Sequence, residues 1–275
     1  MKLYIYRGLE NEKVPKDVTH VIVASSVTVI RKKAFDNCEL LVSFIMGDNV
    51  KIIEEEAFSF CLALRFIRLS KTLGYIGQRA FEYCESLEVV FLPSTVKSIR
   101  LWAFIGCLSL RLLILPQHSL LGKVGIEIIV ETAVHQIAQA SGVEYVFGGR
   151  NGADITRESN RQVNQWLMFH MDHAPCHKLC YNSSITTKHL NDYLNEHGND
   201  SAVAIDTIHG MTPLHMLSMN PHSPSDAIAA LLDVDVEVIF RLDHQGNIPL
   251  DYARDYNVGG LVASVSGLCN HRNAA

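Results

Sequence analysis

No stretch of the sequence approaches the roughly 18 uninterrupted apolar residues that a membrane-spanning helix needs. The N-terminus also lacks the apolar stretch of roughly 7–15 residues that an export signal needs. After Met1-Lys2 only Leu3 to Tyr6 are largely apolar, and Arg7, Glu10 and Lys13 follow. The expectation is an intracellular protein, cytoplasmic or nuclear, with no membrane partner. An excess of charge of one sign is missing as well: 24 basic and 29 acidic residues leave a net of -5. That balance, with no aromatic residues interleaved in a basic stripe, argues against a nucleic-acid partner. The seven cysteines are an odd number, which fits a reducing compartment better than a disulfide framework. Signatures of nucleophilic or metal-dependent hydrolysis, G-x-S-x-G and H-E-x-x-H, are absent. Gly148, Gly149 and Gly152 lack the spacing and the following Lys-Ser/Thr of a phosphate loop. No catalytic residue and no cofactor are expected.

What the sequence does have is apolar material and repetition. Hydrophobic residues make up 48% of the 275, ample for a packed core. Charge is uneven: residues 1–150 carry a net of +2 and residues 151–275 a net of -7, a first sign of two modules. In the first half A-F-x-x-C occurs four times, at Ala34, Ala57, Ala80 and Ala103, each 23 residues after the last. Leu41, Leu64, Leu87 and Leu110 keep the same period, as do Ile30, Ile53, Ile76 and Ile99. Unit-length repeats of this size bury their apolar side by stacking. Phe35, Phe58, Phe81 and Phe104, with Cys38, Cys61, Cys84 and Cys107, are read as core columns. "LEVVFLP" from Leu87 reads as a short strand, and the A-F-x-x-C part as one helical turn on the opposite wall. The alternate strand positions Ile45, Arg68, Phe91 and Ile114, with Phe66, Val89 and Leu112 two residues earlier, should point outward. They are mostly apolar and are the candidate partner-binding face; the alternative is that the chain itself covers them.

This segment, over residues 16–116, resembles the BspA-like leucine-rich repeats. The resemblance implies a curved solenoid of short strands that binds other macromolecules. Residues 126–147 read as a C-terminal cap with a helix over 131–140, stopped near Gly142.

The second half is helical. Val163, Trp166, Leu167 and His170 share one helix face. "GMTPLHMLS" from Gly210 and "GNIPLDYAR" from Gly246 align, and "APCHKLCYN" from Ala174 is a weaker copy. Each is followed by a second apolar helix. The T-P-L-H motif makes residues 174–269 resemble ankyrin repeats, which implies structural roles for Thr212, His215 and His177. The order of the two parts resembles an expanded group of diatom proteins that brings no established biochemical activity with it.

The fold expected is therefore an α+β repeat protein: a leucine-rich-repeat solenoid of 23-residue coils over residues 1–147, a linker at 148–155, and an all-α ankyrin-like stack over 156–275. The function expected is non-enzymatic protein–protein interaction or scaffolding. One alternative is a signalling or transcription adaptor whose acidic half binds a basic partner. A remoter one is zinc binding by His170, His173, Cys176, His177 and Cys180, whose spacing is dense enough for ligation; against it, His177 sits in the ankyrin histidine column and Pro175 splits the cluster, so no metal is expected.

Overall fold

The computed structural model describes residues 1–116, 128–143 and 157–274. The chain divides into two compact units, Met1–Phe169 and His170–Ala275. The expected linker at 148–155 lies outside the described residues.

In the first unit the sequence period becomes a β-solenoid. One parallel sheet is formed by β1 (Leu3–Tyr6), β2 (His20–Val23), β4 (Ser43–Ile45) and β6 (Phe66–Arg68), in that order. A second is formed by β3 (Val29–Ile30), β5 (Ile52–Ile53), β7 (Tyr75–Ile76) and β9 (Ser98–Ile99). Strands β8 (Val89–Val90) and β10 (Leu112–Leu113) pair separately. Ser43 pairs with Phe66 and Ile52 with Tyr75, so one period of sequence is one step of pairing. β1 pairs with β2 from Leu3 to His20 and carries none of the repeat columns, which is why its strand did not show in the pattern.

The wall carrying A-F-x-x-C is not helical. Residues 32–37 and their equivalents form consecutive tight turns. Alternate amides bond across coils: Lys33, Phe35 and Asn37 N–H donate to the carbonyls of Glu55, Ala57 and Ser59, and Glu56, Phe58 and Phe60 to those of Gln78, Ala80 and Glu82. The amides between them, on Ala34, Asp36 and Cys38, donate three residues back within the coil. This division requires a left-handed backbone two residues either side of the repeat phenylalanine. Lys33, Asn37, Glu56, Phe60, Arg79, Tyr83 and Trp102 all have φ between +52° and +58°. Each such residue costs roughly 1–2 kcal/mol, offset by inter-coil hydrogen bonds of 2.8–3.2 Å. A helix would have kept those amides inside one coil and left this wall without its bonds between coils.

Between the walls the core is a set of ladders. Phe35, Phe58, Phe81 and Phe104 stack nearly parallel with centroids 5.1–5.3 Å apart, close to the ~4.8 Å strand spacing. Cys61, Cys84 and Cys107 are fully buried. Their thiols donate to the carbonyls of Phe35, Phe58 and Phe81, one coil back, at 3.0–3.2 Å. The cysteine thus fills a small apolar site and satisfies a buried acceptor. At the far end α1 (Ala133–Ala140) is capped by Thr132, whose hydroxyl accepts the His135 N–H. Phe104 and Gly106 donate to Ile128 and Val130, so this segment continues the stack. Helix α2 (Arg157–Phe169) also belongs to this unit, although the sequence pattern had placed it in the helical module. Val163 and Leu167 join the core, and the Leu115 N–H donates to the Leu167 carbonyl.

The second unit is a stack of helix pairs: α3 (Pro175–Tyr181) with α4 (Thr187–His197), α6 (Pro213–Met219) with α7 (Ser225–Val234), and α8 (Pro249–Tyr256) with α9 (Val258–Ala274). A short α5 (Asp200–Val203) and a 3-10 helix (Val236–Phe240) lie in the connections. α6 packs on α3 and α8, and α7 on α4 and α9. Pro175, Pro213 and Pro249 open the first helix of each pair, where a missing N–H costs nothing.

Candidate interaction surface

The outward positions of the first sheet form two columns. One runs Ile5, Ile22, Ile45 and Arg68, the other Leu3, His20, Ser43 and Phe66, held in register by strand pairing. Ile5 and Ile22 are 50% and 43% exposed. Ile45, Phe66 and Arg68 are half-buried. Arg68 is tied to the sheet edge by hydrogen bonds to the Met46 carbonyl and the Asp48 carboxylate. The open part of the face therefore carries one aliphatic column, Ile5, Ile22 and Ile45, beside Leu3, His20 and Ser43, and closes with a tethered guanidinium at β6.

The expected continuation of this face fails at Phe91, Ile114, Val89 and Leu112. Phe91 and Ile114 are only 2% and 4% exposed, and Val89 and Leu112 are equally buried. The reason is legible in the strands themselves. The runs Val89 to Leu92 and Leu112 to Leu115 are continuously apolar, the pattern of a parallel strand covered on both faces. β2 and β6, by contrast, bring in a polar outward residue at His20 and Arg68. Four of the seven candidate contact residues are thus core, and Ile45, Arg68 and Phe66 remain accessible. Leu3, Ile5 and Ile22 extend the accessible part; two of these lie on β1, which the repeat did not announce.

Polar residues of this unit neutralise each other across coils. Glu88 lies between Arg65, at 3.0 Å, and the buried Arg111, at 3.9 Å. Lys32 pairs with Glu55 and Lys33 with Glu56, joining the basic and acidic runs one period apart. Cys38 and Cys84 are not poised for chemistry. Burial pushes Cys38 up to about 12 and raises Cys84 well above its ordinary value, so both stay protonated at neutral pH.

In the second unit His177 and His215 are structural. His177 donates from Nε2 to the Met211 carbonyl at 2.8 Å, and His215 from Nε2 to the Asn247 carbonyl at 3.2 Å. His215 Nδ1 accepts from the Thr212 amide and hydroxyl. Burial lowers the His177 pKa. His173 faces the Thr207 hydroxyl, and Cys180 is buried with its pKa raised by burial. Among the described residues no three His, Cys, Asp or Glu side chains converge as a metal site, so the His170–Cys180 spacing is not brought together as a ligand set. An asparagine column emerges instead. Asn220 donates to the carbonyls of Cys180 and Asn182, and Asn257 to those of Leu217 and Asn220. Asn182, Asn220 and Asn257 are 38 and 37 residues apart, a spacing that could have exposed them. Asp206 accepts the amides of Ile208, His209 and Met211; Asp243 repeats this with Gln245 and Asn247.

A stack of 23-residue coils with inward Phe and Cys ladders is the geometry that the comparison with family models meets. Residues 15–123 match the BspA type leucine rich repeat region, in six copies. Three solved structures are similar to part of this chain. A leucine-rich repeat protein of T. pallidum is 26% identical, with 42% of this chain and 54% of that one covered and a TM-score of 0.38. A leucine rich cell surface protein of Faecalibacterium prausnitzii is 27% identical over 44% and 32%, TM-score 0.42. A leucine-rich repeat protein of Bacteroides ovatus is 32% identical over 37% and 32%, TM-score 0.31. The chain thus spans between about a third and a half of the length of these structures. No curated protein matches it. Among the described residues no helix is long and apolar enough to cross a membrane.

Proposed function

We propose that the chain is a non-enzymatic protein-interaction module, with the open face of the leucine-rich repeat sheet as its contact surface. The observation that supports this most is the aliphatic stripe Leu3, Ile5, Ile22 and Ile45, held on three adjacent strands and left exposed or half-exposed. An exposed contiguous apolar patch on a rigid sheet is the usual mark of a contact site. The helix pairs of the second unit are read as ankyrin-like, on the Thr212–His215 bond and the proline that opens each pair. The free cysteines, Cys269 exposed and the others buried, suit a reducing compartment, and an intracellular setting is part of this reading.

The test is affinity capture from the native cell with the wild-type chain and the double variant Ile22→Lys/Ile45→Lys. Ile22 is exposed and Ile45 half-buried, both on the outward face, so the variant should still fold and lose its captured proteins. Unchanged capture would remove the sheet face from consideration.

A further inference from the structure

We propose that the groove between α7 and α9 is a docking site for a short amphipathic helix with basic flanks, supplied by a protein partner. The groove is open on one side and offers about 1020 Å³, at the upper end of what ligand-binding clefts offer. It exists because the facing helices carry small residues there. On α9, Gly259, Ala263 and Gly267 recur at every fourth position, and Ala229 stands on α7. The helices are in close approach beneath it: a Cβ at Gly260 would fall 2.5 Å from Ile228 Cδ1, and one at Gly267 would fall 2.9 Å from Leu232 Cδ1. Val262, 61% exposed, forms an apolar wall.

The occupant follows from the charge. Among the described residues the lining carries Asp226, Asp233, Asp235 and Glu237 and no Lys, Arg or His. Asp235 is occupied in accepting the Glu237 amide at the start of the 3-10 helix. Asp226, Asp233 and Glu237 are exposed on the rim. Asp226 and Asp233 lie seven residues apart on α7, two turns or ~10.5 Å. A helix with Lys or Arg at i and i+7 and small aliphatic residues between them matches both the charges and the floor. An apolar groove between two helices takes such a helix by its hydrophobic face, and the acidic rim sets its orientation and speeds its approach. The site lies wholly in the helical unit and does not rest on the sheet-face reading.

The test uses the full chain and three synthetic peptides of about 14 residues, roughly four helical turns. The first has lysines seven apart on one helical face with Leu and Ala between. The second is its scramble. The third has Glu for Lys. Backbone amide NMR should show the first peptide shifting Asp226, Asp233, Val262 and Gly267, with binding at least tenfold tighter than the scramble and none by the Glu peptide. Asp226→Asn/Asp233→Asn should weaken binding about tenfold and flatten its salt dependence. Val262→Arg, at an exposed position, should abolish it with no change in melting temperature. Ile22→Lys/Ile45→Lys should bind like the wild type. Equal affinity for the first peptide and its scramble would reduce the site to nonspecific attraction and overturn the proposal. So would shifts confined to other helices, or a wild-type dimer in sedimentation that Val262→Arg converts to monomer, since the groove would then hold a second copy of the chain.

Discussion

The two units solve the same problem, stacking short repeats, with different bonds. In the solenoid the coils are joined by backbone amides on both walls, and side chains fill the space between. In the helical unit each helix satisfies its own backbone, so neighbouring pairs are joined mainly by side chains reaching for carbonyls, His177, His215, Asn220 and Asn257, with a turn amide, His244, donating to the His209 carbonyl. The difference shows in the spacing. Sheet pairing fixes register to the residue, because a slip of one reverses every side chain, and the A-F-x-x-C period never leaves 23. Side-chain bridges only need the right helix ends to meet, and the connecting loops absorb length: Pro175, Pro213 and Pro249 are 38 and 36 apart.

Substitutions can break this contrast. Phe81→Ala opens the stacked ladder at a fully buried position and should cost roughly 3–5 kcal/mol in denaturant melts. A loss below about 1 kcal/mol would mean that the ladder does not carry the solenoid. Asn220→Ala leaves the Cys180 and Asn182 carbonyls without their donor in a buried setting. It should cost about 1–3 kcal/mol and act on the helical unit alone, read by hydrogen exchange over α3 and α6. Cys84→Ala, which removes the thiol donor to the Phe58 carbonyl, should cost about 1 kcal/mol, while Cys84→Ser, which can still donate, should recover part of it. Lys33→Ala removes an ion pair on the solvent side and should leave the melting temperature unchanged within error, since exposed pairs contribute little.

A pH series sharpens the same comparison. Burial holds the His177 pKa below its ordinary value near 6.5. The unfolded chain therefore binds a proton at a pH where the folded unit does not. Stability from this residue is fully present above about pH 6.5 and falls as pH drops below it, by up to about 1.4 kcal/mol per pH unit until the folded pKa is reached. His177→Asn should flatten that slope in the helical unit. Retention of the full slope would assign it to another group.

Much of the solenoid was legible because pairing forces the period onto the sequence: Phe35 and its successors, the leucine columns and the strands around Phe44 and Ile67 all follow from it. The turn wall was not. A-F-x-x-C at i, i+1 and i+4 has helical spacing, and only the neighbouring coil decides that the Phe35 and Asn37 amides bond outward. The covered strands carried their own signal in "VVFL" and "LLIL", where outward alternation is missing. The acidic groove was invisible, because Gly259, Ala263 and Gly267 acquire meaning only against Ala229 on another helix. The asparagine bridges lay in plain view in "CYN", "SMN" and "DYN", but an asparagine at a helix end has many local uses.

The buried thiols give the solenoid its own set of gauges. Cys38, Cys61, Cys84 and Cys107 sit one per coil, fully enclosed. An alkylating reagent reaches each only when its coil opens, so the labelling rate at each sulfur reports the free energy of that opening. Four rates from one protein, resolved by peptide mass, would trace how fraying spreads along the stack without any residue being replaced. The exposed Cys269 would label first and supply the unprotected reference in the same tube.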